Sequence, residues 1–291
     1  MFGCVRRVFA RLVSRLWLRR RRMATPLTFG LPAEWGDFER RHARLLKDFL
    51  PPLMDVATKV VARTMKSEHP HERLVFLLGR HVPEDFNEIF LLAANGYGIG
   101  ALKLLRPMYE RVVTMMFLIH NPEKAQDFFD WVLVEKQKTL NHLRDEGDDP
   151  TNYLTAEEIE QVKAEYERVR HKFPKKPHSW INLDLKGMAH QVGVGRMYLS
   201  LCHWPTLQVH TTLIGMTARM EITAEGGVGF KIGAQRTEAD LALLGAHFCL
   251  LLALDSHIAH FNLPVDLRPR LDEYKKYWGR EATQVDAPSA S

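Results

Sequence analysis

The sequence is poor in cysteine, and its three cysteines lie far apart. Cys4, Cys202 and Cys249 show no paired spacing among the 291 residues. Disulfide frameworks and structural zinc sites need several cysteines at short, repeated intervals. The sequence therefore excludes a small disulfide-stabilised fold and a cysteine zinc site, and it favours a reducing compartment, the cytoplasm.

The sequence also lacks a glycine-rich phosphate loop, an internal repeat and an apolar run long enough to cross a membrane. The longest apolar run, residues 241–254, contains His247 and is flanked by Asp240 and Asp255. A bilayer core of about 30 Å needs roughly 20 apolar residues in a helix. We therefore predict a buried core helix here.

Acidic residues are absent from the first 22 positions, which contain eight arginines. The whole chain has 40 basic and 35 acidic residues, so outside this stretch 32 basic residues face 35 acidic ones. The net charge of +5 thus belongs to the N-terminal stretch. It does not indicate a nucleic-acid-binding domain in the rest of the chain.

We predict that residues 1–30 are a basic amphipathic leader outside the fold, with apolar residues on one helical face and arginines on another. Three interpretations stay open. The leader is a helix on an anionic membrane surface, or a targeting peptide, or upstream sequence preceding a true start at Met23. In the first case alone, the protein would have a membrane surface as a partner and would be located peripherally on a membrane. Both would depend on residues 1–22.

Almost everything after Leu31 repeats apolar residues with the period of an α-helix. Pro51-Pro52 and the glycines of residues 95–100 interrupt this pattern, while Pro70 and Pro83 are predicted to open helices. Because the period is helical throughout, the sequence predicts an all-α fold built as a multi-helix bundle.

One region departs from the helical period. Residues 220–233 alternate, and Gly226-Gly227 in their middle predicts a small β-hairpin. Thr237 and Asp240 then predict a variant capping box, which opens a long helix ending near His260. We predict a single helical domain of residues 31–280 with this hairpin inserted, followed by a disordered tail at 281–291.

Residues 196–210, RMYLSLCHWPTLQVH, carry polar side chains inside an apolar segment. On an α-helix Arg196, Ser200 and His203 have the spacing i, i+4 and i+7 and would share a face. Arg106 and Glu110 are spaced i, i+4 among apolar neighbours on an earlier helix. An unpaired buried polar group costs about 1–3 kcal/mol. We therefore predict that the two helices bring these side chains together in the interior.

The RPMYE stretch of the earlier helix is followed by the Tyr-Ser-His-Pro cluster of YLSLCHWP, a hairpin and a long terminal helix. This order resembles a widespread bacterial helical family of unknown function, over roughly residues 40–262. The resemblance implies a helical fold and a set of site positions, with no reaction attached. The positions that match are Arg106, Glu110, Tyr198, Ser200 and His203.

The spacing of Arg196 and His203 also resembles that of HEPN ribonucleases, helical enzymes that use arginine and histidine to activate a ribose 2′-hydroxyl. Met197 stands where those enzymes usually have a polar residue. The resemblance implies a metal-independent endoribonuclease in stress or defence, with Arg196 and His203 as catalytic residues. A basic turn with two aromatic residues would hold RNA, unless it is a solvated loop: Arg168, Arg170, Lys172, Lys175 and Lys176, with Phe173 and Trp180.

Two classes of function follow. In the first, a non-enzymatic or regulatory helical protein uses an internal polar cluster to organise its core or to bind a small polar ligand. The cluster consists of Arg106, Glu110, Tyr198, Ser200, His203 and His210. The second is the endoribonuclease, so whether the chain is an enzyme stays open, as does its oligomeric state.

We expect no cofactor and no metal. The best metal-ligand pattern is His257-x-x-His260, with Asp255 close by. Two histidines without a clear third ligand are weak candidates, and near a helix end they are more often structural.

Overall fold

A computed structural model describes residues 32–173, 179–210, 212–224, 226–230, 233–264 and 268–276. The predicted leader and the predicted disordered tail lie outside these residues. The described chain divides into two compact units, one of residues 127–181 and one of residues 32–126 with 182–276. The single domain of residues 31–280 stays a prediction, and each unit is described by itself.

The described elements are helices with one two-stranded sheet, so the predicted all-α fold with one small hairpin is confirmed. The first half contains α1 (Pro32–Arg41), a π-helical turn (Leu45–Phe49), α2 (Leu50–Val61), α3 (Pro70–Ala94), α4 (Gly98–His120), α5 (Ala125–Asp145) and α6 (Ala156–Val169). The second half contains α7 (Leu185–Gln191), a 3-10 turn (Gly195–Met197), a π-helical turn (Leu199–His203), α8 (Trp204–Val209), α9 (Leu213–Thr217), β1 (Met220–Ile222), β2 (Val228–Phe230), α10 (Arg236–His260) and a last helix, α11, over 268–276.

The core of the larger unit is formed by its three longest helices, α3, α4 and α10, which pack against one another. Their facing sides bury apolar residues almost completely, among them Phe86, Met108 and Leu250. The helices approach closely at Gly79, where an added Cβ would lie 1.9 Å from Nε2 of His257. Glycine is therefore required at this crossing.

The apolar run of residues 241–254 lies in α10, as predicted for a core helix. Within the described part of the chain, α10 is the one helix long and apolar enough to cross a membrane. Its apolar stretch is mostly buried against α3 and α4. A core helix of this kind passes the same length and composition test, because burial in protein and burial in lipid select the same residues.

The prolines behave in two ways. Pro70 lies in the first turn of α3, as predicted, since the first turn needs no amide donor. Pro51-Pro52 lie in the first turn of α2, which follows the π-helical turn directly. Pro83, predicted to open a helix, lies inside α3, and that prediction is wrong. Pro83 is buried in the core, so the packing of α3 offsets the lost backbone hydrogen bond.

The start of α10 also differs from the prediction. Gln235 precedes the helix without a side-chain cap, and Asp240 accepts hydrogen bonds from Arg41 (2.9 Å) and His42 (3.0 Å) of the α1 end. The predicted capping box of Thr237 and Asp240 is therefore wrong, because Asp240 is used to hold α1 against α10. Burial pushes the pKa of Asp240 up, but His42 and Arg41 outweigh it and the pKa is lowered.

The smaller unit is built on α5 and α6. Leu140, Ile159 and Val162 form its buried cluster. Thr155 and Glu158 form a reciprocal capping box at the start of α6, each side chain bonding the other residue's backbone amide. Because Ile159 and Val162 belong to α6, one side of this charged helix is apolar and buried.

The predicted hairpin at 220–233 is confirmed as β1 and β2, paired antiparallel with Met220 opposite Phe230 and Ile222 opposite Val228. Gly226 turns the chain with a φ of +77°, a backbone region open to glycine. Alternate residues of a strand point to opposite faces, so these four apolar residues share one face of the hairpin.

Candidate functional site

The structure packs the two predicted segments against each other, and one side-chain hydrogen bond joins them. Arg106 and Glu110 of α4 form an ion pair of 3.2 Å, and Arg106 Nε donates a hydrogen bond of 3.0 Å to Thr206 Oγ1 of α8. Thr206 in turn donates to the carbonyl of Cys202 at 2.7 Å. The side chains of Arg106 and Glu110 remain 37% and 47% exposed. The contact between the segments is real, but it lies at the edge of the core.

The predicted polar stripe does not lie in the interior. Arg196, Ser200 and His203 are exposed, so the prediction of an internal Arg/Glu/Ser/His cluster is wrong. The segment passes from a 3-10 turn through a π-helical turn into α8. These turns hold different numbers of residues, so the i, i+4, i+7 rule of an α-helix does not apply. Leu201 and Cys202 take the buried positions instead.

The predicted catalytic residues have no shared geometry. Among the described residues, no hydrogen bond or ion pair joins Arg196 to His203 or either of them to Glu110. Ser200 Oγ donates to the carbonyl of Met197 at 3.2 Å, a local bond within its own turn. His210 is exposed at the C-terminal end of α8 and does not join Arg106. These residues therefore form no reaction centre in this arrangement.

The residues that do meet form a structural contact, which we name the polar clamp: Arg106, Glu110, Tyr198, Cys202 and Thr206. Burial raises the pKa of the Cys202 thiol more than Arg106 lowers it. Burial, with Cys202 beside it, also raises the pKa of Tyr198. Both groups therefore stay protonated at neutral pH, and neither is an activated nucleophile.

Tyr109, next to the clamp in sequence, is a residue that the sequence reasoning missed. It is fully buried, and its hydroxyl donates a hydrogen bond of 3.0 Å to the carbonyl of Val194. Burial raises the pKa of this phenol. The signal was present, because Tyr109 is the tyrosine of the RPMYE stretch. Thr206 gave no comparable signal.

The weak metal candidates separate in the structure. His257 is buried and its Nε2 lies 2.9 Å from the carbonyl of Val75, which makes this nitrogen the donor. His260, one turn later, faces His71 with ring centroids 6.1 Å apart. No group of three or more metal-binding side chains in the described ranges stands in position to hold an ion.

The basic turn of the smaller unit is largely neutralised. Lys172 pairs with Asp130 at 2.5 Å and Arg170 with Glu167 at 2.9 Å. The two nearby aromatic rings pack internally, Phe173 on Trp131 and Trp180 on Phe128. Lys175 and Lys176 lie outside the described residues. The described part of this turn is therefore not arranged to stack a nucleotide base.

The structure shows a second feature that the sequence reasoning missed, the exposed apolar residues of the segment 199–230, which we name the apolar surface. Sixteen large apolar side chains are exposed in the described chain, and nine of them lie in this segment. Consecutive elements of the segment pack on one another, α8 on α9 and α9 on β1. The nine are Leu199, Trp204, Val209, Leu213, Ile214, Met216, Ile222, Val228 and Phe230.

The hairpin is the most exposed part of the apolar surface. Ile222 is 83%, Val228 68% and Phe230 59% exposed, and all three share one face. Glu221 lies on the opposite face, where its side chain covers Gly229 so closely that an added Cβ would meet it at 2.9 Å. The hairpin thus separates an apolar side from a polar side.

The charges in the segment are unequal. Arg196 is exposed and Arg219 half-buried directly before β1. Glu221 is the acidic residue that the structure describes between 196 and 230, while Glu225 lies outside the description. Trp204 and the imidazoles of His203 and His210 are also exposed. Within residues 196–230, the described basic and aromatic groups therefore outnumber the acidic ones.

Comparison with known proteins gives a family and no activity. The model of the Family of unknown function (DUF5677) matches residues 72–228, more than half of the chain. No curated protein and no solved structure shows significant similarity to the chain. The resemblance to HEPN ribonucleases is not among the findings. The match spans α3, α4, the polar clamp and most of the apolar surface, and the chain belongs to this family of unknown function.

Proposed function

We propose that the protein docks on anionic membrane surfaces through the apolar surface of residues 199–230. The exposed apolar face of the β1–β2 hairpin carries this proposal. A two-stranded hairpin by itself is at best marginally stable in water. Ile222, Val228 and Phe230 are left in solvent, so covering them removes a large apolar area from water. The interface of a bilayer provides that cover.

The chemistry at the edge favours a bilayer over a protein partner. Tryptophan is enriched at membrane–water interfaces, and arginine near the surface is attracted to anionic headgroups. Trp204, Arg196 and Arg219 supply these groups, while Glu221 points to the other face of the hairpin.

The polar clamp has a supporting role in this proposal. The segment 196–217 consists of turns and helices too short to be stable alone. The bond from Arg106 to Thr206 fixes this segment to α4, and the bond from Tyr109 to Val194 fixes the chain just before it. Thr212 Oγ1 then fixes α9 to α8 by donating to the carbonyl of Leu207 at 2.9 Å. The clamp thus organises the segment rather than binding a ligand.

The predicted leader would add a second, independent membrane signal. Its arginines and apolar face suit an anionic surface, and stable peripheral binding usually takes two such signals. The proposal therefore widens the predicted membrane contact, which was confined to residues 1–22. The test must separate the two contributions.

The test is co-sedimentation with phosphatidylcholine vesicles, with and without phosphatidylglycerol. We expect the chain to bind the anionic vesicles and the double variant Ile222→Asn/Phe230→Asn to bind at least about tenfold more weakly, since each apolar side chain contributes roughly 1–2 kcal/mol. Leu91→Asn is the matched control, because Leu91 is an apolar residue of α3 that is 56% exposed and lies outside residues 199–230. The same comparison without residues 1–22 removes the leader's contribution.

Two outcomes would overturn the proposal. In one, the double variant and the control sediment alike, both with and without the leader. In the other, sedimentation velocity shows a dimer that the double variant dissociates, which would assign the surface to a second copy of the chain.

A further inference from the structure

A cleft of about 530 Å³ lies in the larger unit, between the stretch 44–56 and the last helix, α11. Small-molecule sites in proteins have volumes of about 300–1,000 Å³, mostly apolar walls and a few polar groups. The apolar lining of this cleft is formed by buried side chains of both walls: Phe49, Leu53, Val56, Leu271 and Tyr274. The cleft therefore has the size and the lining of a site for a small organic ligand.

Contacts between the two walls fix the shape of the cleft. The rings of Phe49 and Tyr274 pack edge-on with centroids 6.1 Å apart. Arg270 of α11 pairs with Asp55 of α2 at 3.2 Å. The walls thus meet at one aromatic and one ionic contact, and the cleft is already formed in the free chain.

Tyr274 brings an unsatisfied polar group to the cleft. This residue is 5% exposed, and its hydroxyl is buried without a hydrogen-bond partner among the described residues. Burial raises the pKa of the phenol, so the hydroxyl keeps its proton. Buried hydroxyls in proteins nearly always have a partner. Because Tyr274 also lines the cleft, a polar atom of a bound ligand can supply that partner.

Two carboxylates at the cleft are also without a partner. Asp48 and Glu273 line it, one from each wall, and both are exposed. Neither side chain is joined by a hydrogen bond or an ion pair to another described residue. The third lining carboxylate, Asp55, is instead engaged by Lys59 at 2.8 Å and by Arg270 at 3.2 Å. Asp48 and Glu273 can therefore receive a positively charged group of a ligand.

The arginines at the cleft do not reverse this preference. Arg270 is paired with Asp55, and the guanidinium of Arg44 lies over the ring of Phe49 at 5.4 Å. Two arginines and three carboxylates line the cleft, so the net charge of its lining is −1. A cationic ligand is thus favoured over an anionic one.

We propose that the cleft binds a hydroxylated arylalkylamine, a small ligand in which a short alkyl chain joins a phenol ring to a protonated amino group. The ammonium group binds Asp48 and Glu273, the ring packs on the apolar lining, and the phenol oxygen accepts a hydrogen bond from Tyr274. Each part of the ligand thus meets a feature that is unpaired in the free chain. The cleft lies outside residues 199–230, so failure of this proposal would leave the proposed membrane contact untouched.

The test is a calorimetric titration of the full chain with tyramine and three relatives of similar size. Phenethylamine lacks the hydroxyl, para-ethylphenol lacks the amine, and para-hydroxyphenylpropanoate carries a carboxylate in place of the amine. We expect one tyramine to bind per chain. Phenethylamine and para-ethylphenol should bind about tenfold more weakly, and the propanoate should not bind.

Substitutions assign each part of the ligand to its residue. Asp48→Asn and Glu273→Gln should each weaken tyramine binding about tenfold and leave para-ethylphenol binding unchanged, because that compound has no charge. Tyr274→Phe should weaken tyramine binding about fivefold and leave phenethylamine binding unchanged. Asp272→Asn is the matched control and should bind as the native chain does, because Asp272 is an exposed acid of α11 that does not line the cleft.

Three results would overturn the proposal. In the first, the full chain binds none of the four compounds. In the second, the propanoate binds more tightly than tyramine, which would make the cleft an anion site. In the third, Asp48→Asn and Glu273→Gln bind tyramine as tightly as Asp272→Asn does, which would place tyramine elsewhere on the protein.

Discussion

The three-helix core and the apolar surface contain the same kinds of residues in opposite environments. Phe86 of α3 is 1% exposed, whereas Phe230 of β2 is 59% exposed. The core helices are 25, 23 and 25 residues long and cover each other's apolar sides. The elements of the apolar surface have three to six residues and cannot do so. Burial thus follows from the length and packing of the element, not from residue type alone.

The largest expected effect comes from making one substitution in both regions. Phe86→Ala should lower the free energy of unfolding by about 3–5 kcal/mol, because it leaves a cavity in a packed core. Phe230→Ala should change it by no more than about 0.5 kcal/mol, since its ring is mostly in solvent. Urea denaturation of both variants measures the difference. Equal losses would show that the hairpin is buried in the free protein.

The second effect is a pH dependence that belongs to the core. Burial lowers the pKa of both His247 and His257 to about 4. In the unfolded chain both would titrate near 6.5, so the unfolded state takes up protons first as the pH falls. The free energy of unfolding should therefore be highest above about pH 6.5. It should decline towards pH 4 by up to about 1.4 kcal/mol per pH unit for each histidine.

The slope of that decline can be assigned by substitution. His247→Gln should give a shallower decline of stability between pH 6.5 and 4 than the native chain, whatever its stability at neutral pH. His81→Gln, at an exposed position of α3, should keep the native slope. Denaturation at several pH values measures both, and an unchanged slope in His247→Gln would contradict the burial of its ring.

A smaller effect is expected where the core meets the segment that carries the apolar surface. Tyr109→Phe removes the hydrogen bond to Val194 and leaves a carbonyl without that donor, at a cost of about 1–3 kcal/mol. Tyr153→Phe, which removes an exposed hydrogen bond from the tyrosine hydroxyl to Asp148, is the control and should cost less than about 1 kcal/mol. Thermal unfolding distinguishes them. Equal losses of stability would mean that the buried Tyr109 hydrogen bond stabilises the fold no more than the exposed bond of Tyr153.

The smallest effects should come from the polar residues that sequence reasoning placed in the interior. Arg196→Ala and His203→Ala are expected to change stability by less than about 0.5 kcal/mol, because both side chains are exposed. An internal ionic cluster would instead lose about 3–5 kcal/mol when one partner is removed. A loss of that size in urea denaturation would contradict the exposure of these side chains and support the predicted interior cluster.

Much of the fold was predictable because long helices repeat their apolar residues with a regular helical spacing. The course of α10 to His260, the break at residues 95–100 and the hairpin around Gly226 were all predicted correctly. Pro83 was not, because tertiary packing of α3 overrides the local preference of proline. Asp240 was assigned to a cap, whereas its partners Arg41 and His42 are distant in sequence.

The candidate site was less predictable, for a geometrical reason. The contact between Arg106 and the later segment was anticipated, but the exposure of Arg196, Ser200 and His203 was not. A π-helical turn shifts every following side chain around the helix, and no feature of the sequence marks it. The exposure of Ile222 could not be predicted either, since the sequence of an apolar strand does not show whether another element covers its face.

The most direct test of the account is the depth of the two faces of the hairpin on a membrane. In a chain carrying Cys4→Ser, a nitroxide label is placed at Ile222→Cys or, as its control, at Glu221→Cys; the other two cysteines are buried. On anionic vesicles the label at 222 should collide more with oxygen and less with a water-soluble nickel complex, while the label at 221 should keep its solvent contact. If both labels collide with the nickel complex as they do without vesicles, the hairpin does not enter the membrane and the central claim is wrong.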